Sequence, residues 1–355
     1  MELTFPMTSA LPSSKTRTMA CWLAICAAMV FAMVVLGGAT RLTESGLSIV
    51  EWKPLTVTPP MNAEQWQAEF ENYQHSPQFK QENSWMTVED FKGIFWLEYL
   101  HRLWGRIIGA AFLLPFMWFL YKGAVDRPLG WKLGGLFVLG GAQGALGWYM
   151  VASGLTDRPD VSQYRLAAHL FTALVLYAGL LWTTLDLFRR DKPVSTAGDA
   201  SFAGWCLAVA GLVLFVMVSG AFVAGLDAGT IYNTFPLMDG KVIPDGLYPL
   251  GALSPFEDIK TVQFNHRMLA IILVVLITVT WVRARQARLD VQSRKLAHSL
   301  LAAAYAQALL GISTLVTVVA LPLALAHQAT ALILFTFALC LAHHVRAPSA
   351  KPAQS

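Results

Sequence analysis

Apolar runs long enough to cross a bilayer recur eight times, near 20–40, 95–120, 133–153, 166–187, 203–224, 263–282, 297–318 and 322–343. Each meets the requirement of about 20 apolar residues per helical span. The pattern predicts an all-α integral membrane protein of eight transmembrane helices, with both termini on one side. The connections differ in charge. The N-terminus and the segments 121–132, 186–202, 283–296 and 345–355 together hold 15 Lys/Arg against 6 Asp/Glu. The segments 41–94, 153–165 and 225–262 hold 8 against 15. Lysine and arginine collect on the cytoplasmic side, so the first set, termini included, is expected there.

Two outer connections are long and carry local order. Asn62-x-x-Gln65 resembles a helix-capping box, and Trp66, Phe70 and Tyr73 follow at helical spacing. This predicts an amphipathic helix over the outer mouth. Thr87-x-x-Asp90 is a second capping signal, placing the start of the second membrane helix well above the bilayer and Glu98 a few turns down. Gly225-Leu-Asp227-Ala-Gly229 and Asn233-Thr-Phe-Pro236 are turn sequences that predict an ordered outer lid.

The two halves of the chain resemble each other. Glu98-x-x-His101-Arg102 recurs as Gln263-x-x-His266-Arg267, and Gln143-x-x-x-Gly147 recurs 164 residues later as Gln307-x-x-x-Gly311. Leu166-Ala-Ala-His169 is answered by Leu325-Ala-His327. The organisation expected is a tail at 1–19, a four-helix repeat at 20–187 with the outer loop 41–94, and a linker at 188–202. A second four-helix repeat at 203–344 with the outer loop 225–262 and a tail at 345–355 complete it. Each half begins and ends in the cytoplasm, so the repeats are expected to be parallel, related by a pseudo-twofold axis along the membrane normal.

Composition narrows the class. Only 14% of the 355 residues are charged, against roughly 25% in soluble domains, and 55% are hydrophobic. The net charge of +4 is small, and nothing points to nucleic acid. Cys21, Cys26, Cys206 and Cys340 all fall inside apolar runs, so no disulfide framework or CxxC metal site is readable. The run at 20–40 is long enough to span and reads as a retained first helix, not a cleaved signal.

Ionisable groups at membrane depth are costly and mark candidate sites. His101, His169, His266 and His327 sit near the outer ends of helices running the same way, two per repeat. Four imidazoles at one depth, without the carboxylate or thiolate partners zinc and di-iron sites recruit, suit haem iron bound from opposite faces. Gly105, Gly109, Gly144 and Gly147 would leave room for a flat macrocycle, and Arg102, Arg106 and Arg267 could pair with propionates. His75, His298, His343 and His344 are read as interface residues. A two-haem cytochrome b exchanging electrons with quinol is the alternative, but haems staggered across the bilayer would be expected of it.

The motifs reach a family. Gly38-Ala-Thr-Arg41-Leu-Thr43-Glu-Ser-Gly46-Leu-Ser, Glu98-Tyr-x-His101-Arg102-x-x-Gly-Arg106, Ala224-Gly-Leu-Asp227-Ala-Gly-x-x-Tyr-Asn233-Thr-Phe-Pro and Gln263-Phe-x-His266-Arg267 resemble haem A synthase. The likeness is to the alphaproteobacterial and mitochondrial class and covers essentially the whole chain. It implies a bacterial inner-membrane enzyme, with sites toward the periplasm, that oxidises the C8 methyl of haem O to the formyl of haem A for cytochrome c oxidase. It further implies that His101 and His169 frame the substrate haem, that His266 and His327 hold a resident haem b, and that Glu98 is the functional carboxylate. Arg41, Arg102, Arg106 and Arg267 are then cofactor-binding candidates. Expected partners are haem O, an electron donor, haem O synthase, oxidase assembly factors and the lipid bilayer; homo-oligomerisation stays open.

Overall fold

A computed structural model describes residues 14–51, 58–155, 159, 161–189, 200–287 and 289–346. The expected tails lie largely outside these residues, as does most of the 188–202 linker. The helices are α1 (Ser14–Leu42), α2 (Ala63–Gln74), α3 (Val88–Tyr121), α4 (Arg127–Gly154), α5 (Gln163–Arg189), α6 (Ala200–Gly225), α7 (Ser254–Glu257), α8 (Ile259–Gln286), α9 (Val291–Val316) and α10 (Leu321–Val345). Eight of them are long and apolar enough to cross a membrane, and no strand occurs among the described residues.

Every span found is the one expected, but most run several residues past the apolar windows. The extensions come from polar caps that hydropathy does not weigh. Thr87 and Asp90 form a reciprocal capping box at the start of α3. Asp126, Asp258 and Asp290 accept from the backbone N–H groups of Leu129, Thr261 and Ser293 at 3.0, 2.8 and 2.8 Å. Each satisfies one of the donors a helix start leaves open.

Four helices form the centre. α1 packs on α5 and α10, α6 packs on α5 and α10, and α5 touches α10. In these four, 33–44% of the apolar window is buried, against 6–22% in α3, α4, α8 and α9. The latter surround the core with their apolar sides outward, as a lipid solvent allows. Within the first half α1 contacts α3 and α5, α3 contacts α4, and α4 contacts α5. Within the second, α6 contacts α8 and α10, α8 contacts α9, and α9 contacts α10.

A parallel between the halves that the motifs alone did not reveal lies just past α1 and α6. Both helices stop at an acidic residue in the left-handed region, Glu44 (φ 53°) and Asp227 (φ 49°). A short 3-10 turn follows each, Ser45–Leu47 and Ala228–Thr230. These turns form the rim above the candidate site.

The amphipathic outer helix is present. Asn62 accepts from Gln65 N at 2.9 Å, while the Gln65 side chain accepts from Met61 N at 2.6 Å, one residue earlier than a standard box. Trp66, Phe70 and Tyr73 of α2 are buried with Ile49, Phe91 and Phe95, fastening α2 to the protruding first turns of α3. Burial pushes the Tyr73 phenol up to about 12, so it remains protonated, donating to Gln78 and accepting from Asn83 at 2.7 Å. Phe91 is fully buried in this cluster. Phe91→Ala is expected to destabilise the outer subdomain by about 3–5 kcal/mol, read as protease cleavage within 61–87 while the membrane helices stay intact.

Candidate functional site

Three of the four histidines lie within the first two turns of their helices: His169 in α5, His266 in α8 and His327 in α10. His101 is deeper in α3 by count only, because that helix begins in the outer subdomain. The imidazoles come near one another two by two: His101 and His169 in the first half, His266 and His327 in the second. Among the described residues no group of three or more His, Cys, Asp or Glu comes together that could hold a metal ion by itself.

Hydroxyl neighbours fix one ring of each pair. Ser219 donates its only hydroxyl proton to Val216 O at 2.8 Å, so toward His266 Nδ1, 2.7 Å away, it acts as an acceptor. Thr40 donates to Leu36 O at 2.9 Å and stands 3.4 Å from His101 Nδ1 in the same relation. A proton on Nδ1 leaves the Nε2 lone pair free to ligate a metal. The other ring of each pair is held differently. Nδ1 of His169 and of His327 is buried and, among the described residues, has no hydrogen-bond partner. The same holds for Oε1 of Gln143 and Gln307, whose amides approach the same histidines. Gln143 Nε2 donates to His169 O at 2.9 Å, and Gln307 Nε2 lies 3.5 Å from His327 Nε2. Unpaired buried polar atoms are costly. Their appearance at corresponding places in both halves fits a site that a further group completes. With two imidazoles per site, the residues fit haem.

Glu98 is only 3% exposed, and protein donors engage both its oxygens. Oε2 accepts from Ser48 Oγ at 2.6 Å and Ile49 N at 2.8 Å, and Oε1 accepts from Arg102 at 2.5 Å. Arg102 also donates to Ile49 O at 3.0 Å. Gln263 does the corresponding work with an amide, donating to Ala228 O at 2.7 Å and accepting from Arg267 at 3.2 Å. Arg267 donates to the carbonyls of Tyr232 and Thr234. Both arginines thus hold the segments that follow the rim turns, a role the sequence pattern did not suggest. Arg41 bridges the halves, donating to Ala224 O at 2.9 Å and Asp227 at 3.0 Å. Arg106 is half-buried one turn below Arg102.

The second outer loop is ordered as its turn sequences predict. Asn233 donates to Gly229 O and to Leu315 O of α9 at 2.7 and 2.8 Å, stapling the loop to the bundle. Of the four expected macrocycle glycines, Gly109 and Gly144 border open space, Gly105 faces Met33, and Gly147 lies against His169. Of the remaining histidines, His75 and His298 are exposed, but His343 is fully buried. Its Nε2 lies 2.9 Å from Asp186, which Arg346 and Lys132 also engage, and its ring stands edge-on to Trp182. His343 is therefore an internal clamp between α5 and α10, not an interface residue.

A model of the family described as cytochrome oxidase assembly protein matches residues 20–339. The chain belongs to this family. A protein named haem A synthase from Nitrosospira multiformis is 49% identical over 96% of this chain and 99% of its own length. Relatives of the same name from Paramagnetospirillum magneticum and a Bradyrhizobium species are each 48% identical over 94% of this chain, covering 96% and 92% of theirs. The family match takes in both imidazole pairs and both rim turns.

Proposed function

We propose that the chain is a haem A synthase, an oxidoreductase of the membrane that converts the C8 methyl of haem O to the formyl of haem A for cytochrome oxidase assembly. The observation that carries this reading is the two pairs of neighbouring imidazoles near the rim turns, in a chain nearly half identical to proteins of that name. The repeats divide the work. His101 and His169, in the 20–187 unit, frame haem O. His266 and His327, in the 203–344 unit, hold a resident haem b, which supplies one-electron redox chemistry at iron. The matched helix contacts of the two halves support their relation as parallel repeats about an axis along the membrane normal.

The chain's residues position, anchor and handle protons. Thr40 and Ser219 orient His101 and His266 through Nδ1. Arg41 and Arg267 each keep a buried Nε without a partner among the described residues, which a propionate would take. Arg102 acts on the substrate pocket through the Ile49–Glu51 segment it holds, and Arg106, one turn on in α3, is a further cation for a propionate. Glu98, the ionisable group that Gln263 replaces in the other repeat, exchanges the protons that methyl oxidation releases. The partners are haem O, an electron donor, haem O synthase and oxidase assembly factors.

Extraction of pigment from the purified protein tests this reading. Haem b together with haem O or haem A is expected; haem b alone, at two per chain, would favour an electron-transfer cytochrome.

Both termini are placed in the cytoplasm and the imidazoles toward the periplasm of the bacterial inner membrane. In a background lacking Cys21, Cys26, Cys206 and Cys340, Asn72→Cys and Asp245→Cys are expected to react with an impermeant maleimide in intact cells, and Gln292→Cys only after lysis. All three positions are exposed. Labelling of Gln292→Cys in intact cells would reverse the orientation.

A further inference from the structure

Four glycines border the four imidazoles, one for each. A Cβ built on Gly37 of α1 would meet His101 Cε1 at 3.0 Å, and one on Gly147 of α4 would meet His169 Cε1 at 3.2 Å. In the second half, a Cβ on Gly220 of α6 would meet His266 Cε1 at 3.2 Å, and one on Gly311 of α9 would meet His327 Cε1 at 2.8 Å. Optimal carbon–carbon contact is about 3.5–4.0 Å, so a Cβ at any of the seats presses on the ring and the imidazole must shift. Among the described glycines no other meets a histidine. The arrangement repeats across the halves: the first helix of each seats the ring of the second, and the third seats the ring of the fourth.

We propose that Gly37, Gly147, Gly220 and Gly311 are positioning residues that set the direction in which each imidazole presents its ligating nitrogen. The inference rests on the reading that these histidines are haem ligands. Glycine in a membrane helix usually serves close approach of another helix backbone. Gly225 is such a case, since its Cβ would strike Gln163 Cα at 2.7 Å. At the four seats the nearest atoms of other elements all belong to an imidazole. None of the four has a positive φ, so no turn geometry calls for glycine, and alanine would favour the helix. Cε1 lies between the two ring nitrogens, so pressure on it swings Nε2 and, in His101 and His266, strains the Nδ1 contact with Thr40 or Ser219.

The test is the optical and electron paramagnetic resonance spectrum of the purified protein with its haem. Gly220→Ala and Gly311→Ala are expected to shift the low-spin g values of the resident haem or at least halve its content, Gly311→Ala more strongly because its contact is shorter. Gly37→Ala and Gly147→Ala are expected to leave that signal alone and at least halve the bound haem O plus haem A. Gly211→Ala, on α6 with nothing within 4 Å, should keep the native spectrum. Native spectra and haem content in Gly220→Ala and Gly311→Ala, with the signal lost in His266→Ala, would overturn the seats and leave the ligands standing. A native spectrum in His266→Ala and His327→Ala would instead remove the ligand reading beneath them. If Gly311→Ala fails to insert, Gly220→Ala decides, because its contact is milder and alanine favours its helix.

Discussion

Replacing His266 or His327 with alanine is expected to remove the low-spin haem b signal, with bound haem b falling at least tenfold while the chain remains in the membrane. The expectation follows from the pairing. A haem held between two imidazoles loses half its axial ligation when either is truncated, and no other described His, Cys, Asp or Glu joins the pair to substitute. Insertion should survive, because the central packing of α6 and α10 runs through Val213, Leu332 and Phe335, on the far side of the site from the rim. Methionine is a poor replacement, since it can itself ligate haem iron. His343→Ala is the matched control. It removes a buried imidazole from α10 and breaks the Asp186 cluster, so it should lower thermal stability yet leave the haem spectrum native. Unchanged spectra in both His266→Ala and His327→Ala would withdraw the C-terminal site.

Glu98→Gln is expected to lower haem A formation by about 10²-fold, the lower end of what a positioned acid or base contributes, while both haems stay bound. The structure makes this substitution unusually informative. Glu98 and Gln263 hold corresponding rim turns, and each is bonded to an arginine four residues on. An amide is therefore already tolerated in one of the two settings. Gln at 98 can keep the contact to Arg102 through its oxygen, but its amide nitrogen cannot accept from Ile49 N, so the variant loses that bond together with the charge and the capacity to exchange a proton. Glu98→Ala would be a worse probe, because it leaves Arg102 partly buried without its carboxylate, at a cost of about 3–5 kcal/mol. Gln263→Glu should leave haem A formation within about twofold of native, a change under roughly 0.5 kcal/mol in barrier. Haem A formation within twofold of native in Glu98→Gln would reduce Glu98 to an anchor of the Ser48–Ile49 turn.

What the sequence could and could not convey follows from the kind of signal each feature leaves. Membrane helices are written as continuous apolar runs, so all eight were readable, and a buried histidine in such a run stands out. The repeat was visible through the Glu98/Gln263 and Gln143/Gln307 motifs. The helix ends were not, because Thr87, Asp126, Asp258 and Asp290 act through single backbone hydrogen bonds that hydropathy averages away. The second role of the arginines was hidden for a related reason. A guanidinium near a candidate haem site suggests a propionate, and only the folded structure shows that Arg102 and Arg267 also bond to loop carbonyls. The Glu44 and Asp227 turns are conformational and leave only the short Glu-Ser-Gly and Asp-Ala-Gly traces. His343 looked peripheral because it lies at a helix end, yet Asp186, Arg346 and Trp182 enclose it from a helix 157 residues away in the chain and from its own.

The most direct measurement supplies haem O to membranes carrying this chain, in a host that makes haem O but no haem A, and follows the extracted haems by chromatography and mass spectrometry. Haem A is expected to accumulate as haem O declines, with neither change in membranes carrying His101→Ala. Haem O left unconverted by inserted, haem b-containing protein given a competent electron-transfer chain would contradict the assignment.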